Sequence, residues 1–322
     1  MPRIIKKDQE SEPRRKPDFQ SLRGIKDILP KESQYWLAIT DHARTLADFY
    51  NFRFAQVPMM ENKKLYIRSI GKGTDIVDKE MYAFEDNDGN KVALRPGFTA
   101  GFSRAYIQHG MFNLPQPVKM WTWGSCFRYD RPQKGRFREF RQVNFEVYGD
   151  NKAGTDAELI AIAYALLNDL GINVQLRINS IGTPDDRERY VMELVGYYRS
   201  KRSYLCDDCK KRINRNPMRL LDCKEEGCRP LRDDAPQIVD WLSEKSKKFF
   251  MELLEYLDDL EVPYEMDPFL VRGLDYYTHT VFEFFPKDGD EETAQSALGG
   301  GGRYDLLLEQ LGGRETPAVG FA

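Results

Sequence analysis

The sequence predicts an α+β protein built on an antiparallel sheet flanked by helices, with a helical insertion. Strand-like segments follow one another at hairpin spacing, as in the pair joined by a polar loop at 118–149. Helical patterns occupy separate stretches of the chain, which is typical of antiparallel sheets. A chain of 322 residues can bury roughly three quarters of its unfolded surface, enough for one large domain and a smaller one.

Composition narrows the class of protein further. No run of about 18 apolar residues occurs, so a membrane span is excluded. Residues 1–20 are charged and contain proline but no apolar signal core, so we expect a disordered tail and a cytoplasmic protein. In that reducing compartment five cysteines indicate a metal site or free thiols rather than disulfides.

The first predicted elements are a helix at 31–50, with Ser33 as its N-cap, and an extended segment that meets Pro58. Residues 91–107 predict a strand, a Pro-Gly turn and a helix. The segment 118–149 predicts two strands, the first rich in aromatic residues and the second alternating.

A well-marked helix follows at 154–171. Thr155 and Glu158 have the spacing of a capping box, and Gly171 suits the position just after the helix end. The clean alternation of 173–182 then predicts another strand.

The chain changes character at 184–262, which is charged, largely helical and carries the cysteine cluster. We therefore expect a helical insertion there, between two parts of one core domain at 21–183 and 263–322. The net charge is −3, but 199–232 holds eleven Lys/Arg against five Asp/Glu, and 128–141 six against two. Such basic islands indicate contact with a polyanion, or simply a solvated surface.

Several common chemistries find little support. The glycines at 299–302 lack the Gly-Lys-Ser/Thr ending of a P-loop and favour a side-chain-free floor beneath a ligand. None of the three histidines sits in a nucleophile elbow, and no close carboxylate pair suggests glycosidase chemistry. Cys126 lies in an aromatic strand and is expected to be a buried, inert thiol.

Two arginines carry the functional prediction. Arg128 ends a strand and Arg272 precedes a pair of tyrosines, so each must be paired or face a ligand, because an unpaired buried charge is strongly destabilising. A guanidinium matches phosphate oxygens, and reactions at phosphorus depend on positioned positive charge. A purely structural Arg–carboxylate pair remains the alternative for each.

Six segments resemble the histidyl-tRNA synthetases, which are class II aminoacyl-tRNA synthetases. "FRYDRPQKGRFREFRQVNFEVYG" resembles motif 2 of that class, and "VRGLDYYTHTVFE" and "GGGGRYDLLLEQLGG" resemble the two histidine-binding signatures. "RGIKDILP" is similar to the start of the family, the helix and strand ending at Pro58 to motif 1, and "PAVGF" to the opening of motif 3. The resemblance covers roughly residues 21 to 322.

The resemblance implies a six-stranded antiparallel sheet, a homodimer, and a reaction that joins histidine to ATP, used with Mg²⁺, before transfer to tRNA(His). On that interpretation Arg128 and Arg272 are catalytic and hold the α-phosphate from two sides. Histidine and ATP would contact Gly97, Thr99, Arg128, Gln142, Glu146, Arg272, Tyr276, Tyr277 and Tyr304, with Glu146 and Tyr277 on the imidazole and Thr99 and Gln142 on the amino-acid backbone. The tRNA acceptor end would contact Arg131, Lys134 and Arg136.

The sequence departs from the family in two places. Gly97 stands where the family has a glutamate that pairs with the substrate α-ammonium, so we expect weaker histidine binding or another acid in that role. The chain stops at Ala322, before the motif 3 arginine that the family uses on ATP and before its anticodon-binding domain. We therefore expect a fragment that adenylates poorly on its own.

Cys206, Cys209, Cys223 and Cys228 form the pattern C-x₂-C-x₁₃-C-x₄-C, which is near that of a four-thiolate zinc site. Structural zinc and four unliganded thiols both fit this spacing. Two rival functions remain: a non-catalytic, histidine-sensing regulatory subunit of ATP phosphoribosyltransferase, and a zinc-bearing nucleic-acid-binding module. The first is favoured by Gly97 and opposed by the full basic loop, and the second explains only 199–232.

Overall fold

The structure, a computed structural model, describes residues 19–71, 73–132, 135–223, 225–274, 276–288 and 297–322. The predicted tail, apart from its last two residues, and Lys134 lie outside these ranges. Within them, no helix has the length and apolar character needed to cross a bilayer. The helices are α1 (Pro30–Phe49), α2 (Lys63–Ile70), α3 (Thr99–Gln108), α4 (Ala153–Asp169), α5 (Pro184–Ser200), α6 (Asp207–Arg215), α7 (Arg229–Asp233), α8 (Glu244–Asp259) and α9 (Leu307–Gln310). The strands are β1 (Arg53–Phe54), β2 (Met60–Asn62), β3 (Ala83–Glu85), β4 (Lys91–Leu94), β5 (Val118–Phe127), β6 (Glu139–Tyr148), β7 (Val174–Ser180), β8 (Tyr264–Met266), β9 (Thr278–Pro286), β10 (Gly299–Arg303) and β11 (Ala318–Phe321).

The main sheet confirms the predicted α+β class. Its strand order is β1-β5-β6-β11-β10-β9-β7-β8, and its six inner strands all pair antiparallel. The two outer strands are additional and pair parallel, β1 with β5 and β8 with β7. Parallel neighbours need a long connection, and helices of the chain lie between the partners in both pairs. A small second sheet has the order β2-β4-β3.

Strand β6 shows how the sequence assigns side chains to the two faces of the sheet. Phe145 and Val147 belong to a core cluster shared with α4 and α8. Tyr148 belongs to the cluster on the other side, together with Phe102 of α3. Because side chains alternate along a strand, Glu146 lies on the same face as Tyr148. That face carries the candidate site.

Both predicted N-caps are wrong. Helix α1 begins at Pro30 after Leu29, and the Ser33 hydroxyl instead donates back to the Pro30 carbonyl at 2.9 Å. Helix α4 begins after its N-cap Lys152, so Thr155 lies inside the first turn, where its hydroxyl donates to Asp150 Oδ2 at 2.8 Å. At the other end of α4 the prediction holds.

Gly171 follows the C-cap of α4 with φ +73°, a left-handed conformation that glycine adopts without strain. Glu158, the second residue of the predicted capping box, forms an ion pair with Lys119 of β5. Its side chain therefore ties α4 to the sheet instead of to the helix start.

The described residues of 184–262 are largely helical, as predicted, but they do not all pack in one place. Phe250, Leu253 and Leu257 of α8 join the core cluster of α4 beneath the sheet. The cysteines pack with the cluster on the opposite side. The division of the chain at 184 and 262 remains a prediction.

Candidate active site

Arg128 and Arg272 line a single cavity of about 1180 Å³, which we call the arginine cavity. Gln142, Glu283 and Gly300 line it as well. Burial lowers the pKa of Arg128, and the positive charge of Arg272 lowers it further. The two guanidinium groups, one after β5 and one before β9, are therefore close enough for each charge to act on the other.

Arg272 is held by a carboxylate from the neighbouring strand. It forms an ion pair with Glu283 of β9, and its guanidinium lies 5.8 Å from the ring centroid of Tyr277. Burial disfavours the charge of Arg272, but Glu283, Tyr277 and Tyr276 together outweigh burial and raise its pKa above the ordinary value. Its Nε atom is buried and has no hydrogen-bond partner among the described residues. This cation is fixed, yet one of its donors remains unused.

The glycine run of β10 makes room for that cation. A Cβ atom at Gly300 would lie 2.4 Å from the Phe282 carbonyl oxygen and 2.9 Å from Arg272 Nη1, so a side chain there would clash with strand β9 and with the guanidinium. This close approach agrees with the floor predicted for 299–302, while a ligand above it remains a prediction.

Arg128 is held by the backbone and by an aromatic ring. Its Nε donates to the Pro96 carbonyl at 3.0 Å, and its guanidinium lies 5.0 Å from the ring centroid of Phe140. Neither contact neutralises the charge, so Arg128 presents a half-buried cation to the cavity.

Beside the cavity lies a closed group of polar side chains, which we call the phenol cluster: Glu146, Tyr276, Tyr277 and Tyr304. Glu146 is fully buried, and burial raises its pKa to about 7. One carboxylate oxygen accepts hydrogen bonds from Thr99 Oγ1 at 2.6 Å and Asn144 Nδ2 at 2.9 Å. The other oxygen accepts one from the Tyr304 hydroxyl.

The three phenol rings pack against one another over this carboxylate. Ring centroids are 4.6 Å apart for Tyr276 and Tyr277, and 5.5 Å apart for Tyr276 and Tyr304. All three are buried, and no member of the cluster is among the described residues that line the arginine cavity. The charges of Glu146 and Arg272 both act on the pKa of Tyr276, which burial raises most, so the cluster and the cavity adjoin.

Gly97 lies beside the cavity with room for a side chain. A Cβ atom there would meet only one atom within 4 Å, Gln142 Oε1 at 3.7 Å. The next residue, Phe98, is buried against the Arg95 guanidinium, 4.1 Å from its ring centroid. Cys126 is buried as predicted, and burial raises its pKa to about 12.

The basic loop after Arg128 is only partly described. Arg136 lines the arginine cavity and forms an ion pair with Asp130 at 3.2 Å. Arg131 is exposed, and Lys134 lies outside the described residues. Their predicted contacts with a tRNA remain a prediction.

Sequence reasoning missed several residues of the site. Asn144 donates a hydrogen bond to Glu146, and Glu283 forms the ion pair with Arg272. Gly320 of β11 is as important, because a Cβ atom there would overlap Glu146 Oε2. Asn144 could have been found, since it lies two residues before Glu146 on the same face of one strand. The other two depend on which strands are neighbours.

Comparison with known proteins decides the family. The sequence model of the histidyl-tRNA synthetase family matches residues 24–184 and 231–322. The chain belongs to the histidyl-tRNA synthetase family. It is 47% identical over 305 residues to the histidine–tRNA ligase of Dehalococcoides mccartyi, covering 94% of this chain and 72% of that protein. The histidine–tRNA ligase of Halothermothrix orenii is 46% identical over 306 residues, with 95% and 72% covered.

Solved structures agree with this assignment. The apo histidyl-tRNA synthetase of Staphylococcus aureus matches with a TM-score of 0.76 and 36% identity, covering 94% of this chain and 70% of that one. A Bacillus halodurans protein described as an ATP phosphoribosyltransferase regulatory subunit/histidyl-tRNA synthetase matches with a TM-score of 0.68. At 24% identity over 95% of this chain and 81% of that one, the second match supports the fold alone.

The histidyl-tRNA synthetase model leaves 185–230 unmatched, and the four clustered cysteines lie in that stretch. Their sulfur atoms all lie within 4.8 Å of one another, and those of Cys206 and Cys223 are 3.9 Å apart. The Cys209 backbone N–H donates to Cys206 Sγ at 3.4 Å, and that of Cys206 to Cys228 Sγ at 3.4 Å. Four soft thiol ligands at these separations fit a tetrahedral ion such as Zn²⁺. We call these four residues the four-cysteine cluster.

Proposed function

We propose that the chain carries the catalytic machinery of a histidine–tRNA ligase, which activates L-histidine with ATP and transfers it to tRNA(His). The observation that supports this most is the pair of half-buried guanidinium groups that line one cavity beside the phenol cluster. Phosphate and imidazole are recognised by different chemistry, and the two halves of the site supply one each.

In the first step the carboxylate of histidine attacks the α-phosphorus of ATP, and pyrophosphate leaves. Negative charge builds up on the phosphate oxygens, and Arg128 and Arg272 stabilise it from two sides. Each fixed cation in such a site lowers the barrier by roughly 3 kcal/mol. ATP carries Mg²⁺, whose preferred ligands are oxygens, and cavity-lining carboxylates such as Glu80 can supply them.

Recognition of the histidine ring falls to Glu146 and Tyr277, with Tyr276 and Tyr304 around it. A neutral imidazole has one N–H and one bare nitrogen, which suit a carboxylate and a phenol. The oxygens of Glu146 already accept bonds from Thr99 and from its other partners, so histidine must replace some of them.

The amino-acid backbone of histidine would lie nearer the arginine cavity. Gln142 lines that cavity and Thr99 adjoins it through Glu146, so both can reach the substrate backbone. No carboxylate is available from Gly97 itself, and weaker histidine binding follows.

Transfer requires the tRNA acceptor end at the cavity mouth, where Arg131, Lys134 and Arg136 would contact its phosphates. The exposed apolar residues Tyr35, Leu37 and Phe49 of α1 fit a homodimer contact, which sedimentation would reveal as doubled mass. The protein would act in the cytoplasm. The four-cysteine cluster would hold a structural Zn²⁺, which metal analysis would find at one ion per chain.

Histidine-dependent ATP–pyrophosphate exchange by the purified chain tests the proposal. We expect exchange that requires histidine, and binding of transcribed tRNA(His) over unrelated RNA. Histidine binding with no more exchange than an Arg128→Ala/Arg272→Ala double variant, and no tRNA binding, would support a regulatory sensor instead.

A further inference from the structure

The segment 206–228, which carries the four-cysteine cluster, makes a direct contact with the rim of the arginine cavity. Arg219, which lies between the second and third cysteines, places its Nη2 atom 3.2 Å from Asp75 Oδ2. These residues are 144 positions apart in sequence. The Arg219 side chain is only 16% exposed, so this ion pair is more shielded than an ordinary surface pair.

The same guanidinium also rests on the turn that carries Arg272. A Cβ atom at Gly273 would lie 2.7 Å from Arg219 Nη1, so only glycine allows the arginine to approach so closely. Arg219 therefore contacts the residue next to one catalytic arginine.

Asp75 leads to the other catalytic arginine. It immediately precedes the helical turn Ile76–Glu80, and the Glu80 carbonyl accepts a hydrogen bond from the Tyr129 backbone N–H at 2.6 Å. Tyr129 directly follows Arg128. One side chain thus connects two segments that flank Arg128 and Arg272.

Arg219 is itself held beside the four-cysteine cluster. Its carbonyl accepts a hydrogen bond from Arg212 Nη1 at 3.3 Å, and Arg212 reaches the same Asp75 oxygen at 3.9 Å. The next residue, Leu220, is buried, and its carbonyl accepts the Cys223 backbone N–H at 3.4 Å. A metal held by the four thiols would fix this short stretch in place.

We propose that Arg219 is a positioning residue, through which the four-cysteine cluster sets the separation of Arg128 and Arg272 across the cavity. The role in histidine activation rests on the proposed function, whereas the mechanical link does not. Reactions of this kind are sensitive to displacements of about 1 Å, which can reduce the rate by roughly a hundredfold.

Arg219→Ala tests the proposal, with Arg215→Ala as its matched control. Arg215 is an exposed arginine of the same segment, in α6, and does not line the cavity. We expect Arg219→Ala to lower kcat of pyrophosphate exchange roughly ten- to hundredfold, with little change in the KM for histidine. Arg219→Lys keeps the charge but loses the fork that spans Asp75 and Gly273, so it should recover only part of the rate.

Hydrogen exchange and metal content separate this role from simple unfolding. In Arg219→Ala the backbone amides of 76–80 and 273–274 should exchange roughly tenfold faster, while the zinc content equals that of the Arg215→Ala variant. Should Arg219→Ala lose its metal, Asp75→Asn breaks the same pair from the core side and must give the same two results.

The proposal is overturned if Arg219→Ala matches Arg215→Ala in both exchange kinetics and amide protection. An additive double variant, Asp75→Asn/Arg219→Ala, would also contradict it, because a shared contact can be lost only once. If the unmodified chain shows no pyrophosphate exchange, the proposed function fails, and amide protection alone still decides whether Arg219 links the two segments.

Discussion

The arginine cavity and the phenol cluster adjoin, but their polar groups are satisfied in opposite ways. In the phenol cluster both oxygens of Glu146 accept hydrogen bonds from the protein, and the phenol rings cover them. In the arginine cavity the buried Nε of Arg272 has no partner among the described residues, and about 1180 Å³ of space is open. One half is closed around its own bonds, and the other is ready for an anion.

The open cavity and the hydrogen-bonded phenol cluster would therefore select ATP and histidine in different ways. An anionic ligand can enter the arginine cavity without breaking any bond of Arg272. A ligand for the phenol cluster must return hydrogen bonds equal to those it displaces from Glu146, because an unpaired buried carboxylate is costly. A ring without two suitable nitrogens cannot do so, and selectivity of this kind can reach roughly 10⁴.

The largest effect is expected from removing the open half's fixed cation. Arg272→Ala should lower kcat of pyrophosphate exchange by about 10²–10³, because one stabiliser of the developing charge is lost. It should also destabilise the fold, since Glu283 is left as an unpaired, mostly buried carboxylate.

The partner of that cation provides the control. In Arg272→Ala/Glu283→Gln the urea midpoint should return towards the original value while exchange stays low. If exchange recovers with stability, Arg272 acts only as a structural partner and the two halves do not differ in the way described.

Two glycines provide the next comparison, measured by urea unfolding. A Cβ atom at Gly320 would overlap Glu146 Oε2, whereas at Gly97 it would make one ordinary contact. Gly320→Ala should therefore lower the free energy of unfolding by about 1–3 kcal/mol. Gly97→Ala should change it by less than about 0.5 kcal/mol. Equal midpoints for the two variants would mean that the phenol cluster is no more tightly packed than the cavity.

The smallest effect concerns the pH dependence of stability. Burial raises the pKa of Glu146 to about 7, so between its unfolded value and pH 7 the folded chain binds more protons than the unfolded chain. The contribution of Glu146 to stability therefore falls as pH rises through this range, by at most about 1.4 kcal/mol per pH unit. Glu146→Gln should have a flatter dependence between pH 5 and pH 6 in urea titrations. An unchanged slope would show that the carboxylate is not held in a dry environment.

Sequence patterns predicted the parts of this molecule that are set locally. The strands of 118–149 and the position of Gly171 follow from alternation and from glycine's freedom at positive φ. The predicted caps at Ser33 and Thr155 failed because both helices begin earlier, after Leu29 and Lys152, and the fixed φ of Pro30 suits the first position of α1.

The site residues that were predicted from the sequence each lie in a recognisable motif. Those that were missed depend on which strands are neighbours in the sheet. Arg128 and Arg272 were identified from their own segments, and they do line one cavity. The dependence of Glu146 on Gly320 could not be found, because it follows from the register that places β11 beside β6. The Arg219–Asp75 contact is of the same kind, since it joins residues 144 positions apart in the sequence.

The shortness of the two outer strands of the main sheet affects how copies of the chain can contact one another. Strand β1 has two residues and β8 has three, so the exposed borders of the sheet offer few free backbone amides and carbonyls. Short borders of this kind resist pairing with a strand from another molecule, which is the usual start of aggregation. The exposed apolar side chains along α1 then offer a larger contact surface to another molecule than either border of the main sheet.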